Sequence, residues 1–215
     1  MRPASIDLDG SPHLLIAIEG IDGAGKTTQA SLLSERLKEL GYDVAVFHEP
    51  TMGTWGRKVA LLSEHGRTAT PEEESNFFLE DRKEDVEKNI LPALKRGKIV
   101  IMDRYYYSNM AYQGAKGLDV AEIERKNLQI APKPRLVFIL DTSVETAKER
   151  ITYGRQSKLN HFEQRLEPVR NIFLNLAKSH PEVRVVDGEK KQADVHEEIF
   201  NSVSKLIPQN EESIL

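Results

Sequence analysis

The segment Gly20-Ile21-Asp22-Gly23-Ala24-Gly25-Lys26-Thr27 restricts what this chain can fold into more than any other stretch. It satisfies the spacing G-x-x-x-x-G-K-[ST], follows an aliphatic run at 14–19 and opens a helical pattern. Closely spaced glycines let a backbone curl until successive N–H groups converge on one anion, with the positive end of a helix behind them. Lys26 is then expected at the β- and γ-phosphates of a nucleotide, and the Thr27 hydroxyl on Mg²⁺. Thr28 follows at the first helical turn. A glycine-rich turn that held Lys-Thr by chance would have no reason to sit between a strand and a helix.

The rest of the chain repeats that alternation. Short aliphatic runs at 14–19, 44–48, 99–103, 136–141 and 183–186 read as strands buried on both faces. Between them, Ala30, Leu33, Leu37 and Leu40 share a helical face that Gly41 stops. A longer helix is predicted from Thr70-Pro71, with Pro92 kinking or restarting it before Gly97. Helices at 144–152, 162–178 and 195–206 complete the set. The expected architecture is a three-layer P-loop NTPase fold, α/β, with a five-stranded parallel sheet flanked by helices and a short lid segment. At 215 residues, one domain over 13–208 is expected, between a leader at 1–12 and a polar tail at 209–215. Ligands of such sheets gather at the carboxyl ends of the strands.

Composition removes several alternatives. No apolar run reaches bilayer-spanning length, and a formal net charge of -4 gives no sign of a nucleic-acid-coating surface. Cysteine is absent, which excludes disulfides and thiolate metal sites and fits a cytoplasmic protein. The six histidines show no i, i+4 pairing. No Asn-Lys-x-Asp guanine reader follows the phosphate loop, which argues against a GTPase.

Four further segments carry a family resemblance. They are Glu19 to Gln29 around the phosphate loop, Glu49-Pro50 after the second strand, Phe78-Leu-Glu-Asp81-Arg82, and Asp103-Arg104-Tyr105 with Ser108 and Ala111-Tyr112-Gln113-Gly114. Together they closely resemble thymidylate kinases over nearly the whole domain. The resemblance implies transfer of the γ-phosphoryl of ATP to dTMP, with Mg²⁺, by a homodimer. Another pyrimidine monophosphate such as dUMP, a deoxynucleoside, or a non-catalytic nucleotide-binding regulator remain the alternatives.

The residues suit these roles on physical grounds as well. Asp103 ends a buried strand beside the phosphate loop, where a carboxylate holds Mg²⁺ through its waters or caps the next helix. Arg104 offers a planar fork for two phosphates, or for a surface ion pair. By resemblance, Phe78 stacks on the thymine and Arg82 bonds its carbonyl edge. Four residues apart, they share a helical face, although Phe77 competes for the same place. Ser108, Tyr112 and Gln113 resemble residues that close around base and sugar, with Tyr112 crowding a ribose 2′-hydroxyl. Asp22 matches a residue at the acceptor's 3′-hydroxyl or the metal, and is otherwise a turn residue; Glu49 is placed among the acceptor contacts.

The lid is expected at about 150–163. Some family members carry a catalytic arginine in the phosphate loop and others on the lid. Gly23 occupies the loop position here, so the cation falls to Arg155, with Arg150 and Lys158 in support and Glu163 kept. Two departures stand out. His48 replaces the arginine that usually precedes the Glu-Pro pair, with Arg57 as a possible stand-in, and Asn160-His161 replaces the usual Asp-Arg of the lid. Trp55 and Tyr105 to Tyr107 read as packing, with one tyrosine at the pocket. Asp187-Gly-Glu-Lys-Lys is placed near the adenine.

Overall fold

A computed structural model describes residues 14–65, 69–155 and 165–207. The strands are β1 (Leu15–Glu19), β2 (Val44–His48), β3 (Ile99–Asp103), β4 (Leu136–Asp141) and β5 (Val183–Asp187). They form one sheet in the order β2-β3-β1-β4-β5, with every adjacent pair parallel. β1 and β3 are buried along their whole length, which explains why both read as unbroken aliphatic runs rather than as alternating patterns. Parallel neighbours need crossover connections, and helices supply them on both faces.

The described helices are α1 (Lys26–Glu39), α2 (Thr54–His65), α3 (Pro71–Asp85), α4 (Leu91–Lys95), α5 (Tyr106–Gly114), α6 (Val120–Asn127), α7 (Val144–Arg155), α8 (Leu166–Ser179) and α9 (Gln192–Val203). A π-helical stretch, Val86–Ile90, joins α3 to α4. Pro92 therefore restarts rather than merely bends the long helix. It cannot donate to the preceding turn, and the wider π turn just before it takes up the mismatch. α2, α5 and α6 lie where the sequence reading assigned no helix.

The strand order sets the site. β1 lies between β3 and β4, so the loop after β1 opens beside the ends of those two strands, with the end of β2 next beyond β3. Register brings His48 of β2 opposite Asp103 of β3, and Ile18 of β1 opposite the same Asp103. Three carboxyl termini thus converge on one point, where open parallel sheets hold ligands.

Candidate active site

A cavity of about 610 Å³ opens over these strand ends. It is lined by the phosphate loop (Asp22, Gly23, Gly25, Lys26, Thr27, Thr28), by residues following β2 and β3, and by one face each of α3 and α5. Arg150 of α7 reaches it from the far side, where its Nη2 donates to the Gly188 carbonyl at 3.1 Å.

Lys26 is buried and its Nζ donates to the Ile21 carbonyl at 2.7 Å, inside its own loop. Burial, helped by the nearby Arg104 charge, pushes its pKa down to about 8. Gly20, Ile21 and Ala24 form the inner side of the loop rather than the cavity wall. Gly23 shows why a side chain is absent there: its φ is 83°, and a Cβ would lie 2.4 Å from the Ala147 carbonyl oxygen of α7.

The Thr27 hydroxyl donates to Asp103 Oδ2 at 2.6 Å, and His48 Nδ1 lies 3.1 Å from the same oxygen. Burial opposes ionisation of Asp103, but the hydrogen bonds from His48 and Thr27 and the Lys26 charge outweigh it, bringing its pKa down to about 2. Asp103 Oδ1 is buried and meets no hydrogen-bond partner among the described residues. A hydroxyl and an unsatisfied carboxylate oxygen make a hard-oxygen donor set that fits Mg²⁺. Among the described residues, no group of three or more His, Cys, Asp or Glu side chains is gathered as a metal site.

Arg104 has φ 70°, a conformation that costs a non-glycine residue on the order of 1–2 kcal/mol. The turn aims its guanidinium at Asp22 of the phosphate loop, with which it forms an ion pair. Asp22 also accepts from the Tyr112 hydroxyl at 2.6 Å. Burial works against the Arg104 charge, but Asp22, then Tyr112, Asp103 and Glu19, hold its pKa above the ordinary value. The turn thus carries a fixed cation beside the loop.

The other end of the cavity holds Phe78 and Arg82 of α3. Phe77 stacks on Trp55 instead, with ring centroids 5.8 Å apart, and Lys58 sits 3.8 Å from the Trp55 ring centre. Arg82 is almost fully buried; it is ion-paired to Glu49 and donates to Asn127 Oδ1 at 2.6 Å. Desolvation lifts the Glu49 pKa to about 8 against the pull of Arg82. Arg82 Nε, Glu49 Oε1 and Asn109 Nδ2 are buried without a partner among the described residues. Each residue lines the cavity, so donors and an acceptor stand available there to a polar ring.

Several expected residues fall elsewhere. Gln113 is fully buried and lies outside the cavity wall. Tyr105, Ser108, Asn109 and Tyr112 share one face at the spacing i, i+3, i+4, i+7, and Gln113 is turned about 100° away from Tyr112. That spacing was the signal for Asn109, which the sequence reading did not single out. Of the three tyrosines, Tyr105 lines the cavity while Tyr106 and Tyr107 stack behind it at 4.6 Å. Arg57 is exposed on α2 and is not part of the wall. Arg155 closes α7, and its side chain lies outside the described residues, as do Lys158, Asn160, His161, Phe162 and Glu163.

Comparison with known proteins agrees with this geometry. A family model described as thymidylate kinase matches residues 18–199. A probable thymidylate kinase of Archaeoglobus fulgidus is 45% identical over 196 residues, covering 90% of this chain and 96% of the relative. The thymidylate kinase of Desulfotalea psychrophila is 42% identical over 202 residues, covering 93% and 98%. That of Xylella fastidiosa is 40% identical over 196 residues, covering 90% and 88%. The chain belongs to the thymidylate kinase family.

Proposed function

We propose that the protein transfers the γ-phosphoryl of ATP to dTMP, forming dTDP and ADP. The observation that carries this reading is the continuity of one cavity from Lys26 in the phosphate loop, past Arg104, to Phe78 and Arg82. Two anionic nucleotides brought end to end repel each other, and Arg104 stands where they would meet. The buried donors of Arg82 and Asn109 suit the carbonyl edge of thymine better than the amino edge of cytosine. A site with such donors left unpaired rejects the mismatched base strongly. Tyr112, fixed against Asp22, would crowd a ribose 2′-hydroxyl.

In this reading an acceptor phosphate oxygen attacks the γ-phosphorus in line and ADP leaves. The nucleophile is already an anion near neutral pH, so positioning and charge neutralisation suffice. Lys26 would turn from the Ile21 carbonyl to the β- and γ-oxygens, and Arg104 would bridge the two nucleotides. Thr27 and the unsatisfied oxygen of Asp103 would hold Mg²⁺, which neutralises ATP phosphate charge when bound. Gly20 to Thr28 with Arg150 would bind ATP, and Asp22, Glu49, Phe78, Arg82, Ser108 and Tyr112 would enclose the acceptor, with Gln113 outside that wall. With Gly23 packed on α7, the further cation is assigned to the lid at about 150–163, first to Arg155, with Lys158 in support.

A homodimer belongs to the same reading by family resemblance, and a single catalytic domain over 13–208 and a cytoplasmic setting belong to it by length and composition. Among the described residues, no helix is long and apolar enough to cross a membrane.

A coupled ADP-release assay across dTMP, dUMP, dCMP, UMP and the parent nucleosides tests the reading. We expect dTMP to rank first and Lys26→Ala to remove turnover while leaving a folded protein. A lower rank for dTMP, or full turnover by the Lys26 variant, would overturn it.

A further inference from the structure

Glu19 ends β1 immediately before the phosphate loop, and its side chain is completely buried. None of the steps just described uses it. A buried carboxyl persists only when its hydrogen bonds compensate for lost hydration, so its partners indicate its role. Oε1 accepts from the backbone N–H groups of Tyr105 at 2.8 Å and Ser108 at 3.2 Å. Oε2 accepts from the Ser108 hydroxyl at 2.5 Å.

All three donors belong to the start of α5. The first N–H groups of a helix have no intrahelical acceptor, and Tyr105, which occupies the cap position, supplies no side-chain cap. Glu19 takes over that function from a neighbouring strand for the Tyr105 N–H, and shares the Ser108 N–H with the Tyr105 carbonyl, 3.0 Å away. The Ser108 hydroxyl in turn accepts from Arg104 Nη1 at 3.3 Å. The backbone of Arg104 is tied to the same strand, because its N–H donates to the Ile18 carbonyl at 3.1 Å. Arg104, in its left-handed conformation, is therefore held on both sides by β1: through Ile18 at its own N–H, and through Glu19 at the next residue and at its side chain. The charges facing Glu19 are Arg104 and Lys26 of α1, themselves ringed by Asp22, Asp103 and Tyr112.

We propose that Glu19 is a positioning residue for Arg104. It caps α5 from the core and anchors Ser108, and so fixes the turn that delivers the guanidinium to the phosphate loop. The proposal rests on the kinase reading above, because the effect is read in turnover.

The replacement Glu19→Gln separates capping from positioning. The amide oxygen can still accept both backbone N–H groups, but the amide nitrogen cannot accept from the Ser108 hydroxyl. Besides the charge that Glu19 presents to Arg104 and Lys26, the replacement alters only the branch to Arg104. We expect Glu19→Gln to unfold cooperatively like the wild type. Its kcat should fall about tenfold while KM for ATP stays within about twofold, a loss of the size that small misplacements of catalytic groups produce. Ser108→Ala cuts the same branch from its other end. It should lower kcat comparably, and the double variant should be no slower than the slower single one.

A kcat for Glu19→Gln within twofold of wild type, or losses that multiply in the double variant, would overturn the proposal. If Glu19→Gln does not fold, Ser108→Ala decides: lowered kcat supports the relay, and a change confined to KM for dTMP refutes it. Wild-type protein without dTMP-dependent turnover would overturn the kinase reading and this proposal with it. Active wild type with an unaffected Glu19 variant would overturn this proposal alone.

Discussion

At the scale of single residues, Gly23 ties the phosphate loop to α7. Its φ of 83° and the 2.4 Å approach of a notional Cβ to the Ala147 carbonyl leave room for hydrogen alone. A larger side chain at this loop position would have to displace α7. We expect Gly23→Ala to lower stability by about 2 kcal/mol or more, from the strained backbone and the clash together. Urea denaturation checks this, and an unchanged midpoint would show that α7 moves aside freely. Gly23 falls at an unspecified position of the phosphate-loop spacing, and the reason for a glycine there is not legible locally, because Ala147 lies far along the chain. The same distance hid Glu19. Motif spacing identifies Lys26 and Thr27, and the end of a buried strand identifies Asp103, whereas a cap donated by one strand to a helix starting near residue 106 leaves no local signature.

At the scale of elements, legibility followed the presence of local start and stop signals. α3 announces itself through Thr70-Pro71 and Glu73, and a full capping box is present. Thr70 Oγ1 accepts from the Glu73 N–H at 3.2 Å, and Glu73 Oε2 accepts from the Thr70 N–H at 2.8 Å. α5 has no such box and was passed over, its cap coming from β1. α6 offered a readable signal in Asp119, whose side chain accepts from the Ala121 and Glu122 N–H groups. It was missed because the helix is only 8 residues long. Thr70→Ala should cost α3 about 1 kcal/mol. Phe78 and Arg82 lie about two and three turns beyond the cap, so KM for dTMP should stay within about twofold. Thermal unfolding and the ADP-release assay measure the two quantities; a large rise in KM would mean that the start of α3 sets the geometry of the base pocket.

At the scale of the whole molecule, the sheet order gathers ionisable groups from five segments into one buried region, so folding stability is tied to pH. Glu19 is raised to about 7 and Glu49 to about 8, both chiefly by desolvation, and Asp85 is raised for the same reason. A carboxyl with a raised folded pKa binds its proton more tightly in the native state. Stability therefore falls as pH climbs from the ordinary carboxyl range through the folded value. The groups that act the other way do so outside the interval of interest. Asp103, Glu182 and Glu189 are depressed, and their contribution is lost only as pH falls below the usual carboxyl range. His196 is depressed below its ordinary 6.5, and Lys26 relieves its burial only above about 8. Between those limits the two raised glutamates dominate. The unfolding free energy at about pH 8 should lie below that at about pH 6.5. Urea titrations at the two pH values measure the difference. Glu19→Gln should remove part of the slope, because an amide has no proton to lose, and a slope that survives intact in that variant would assign the ionisation to other groups.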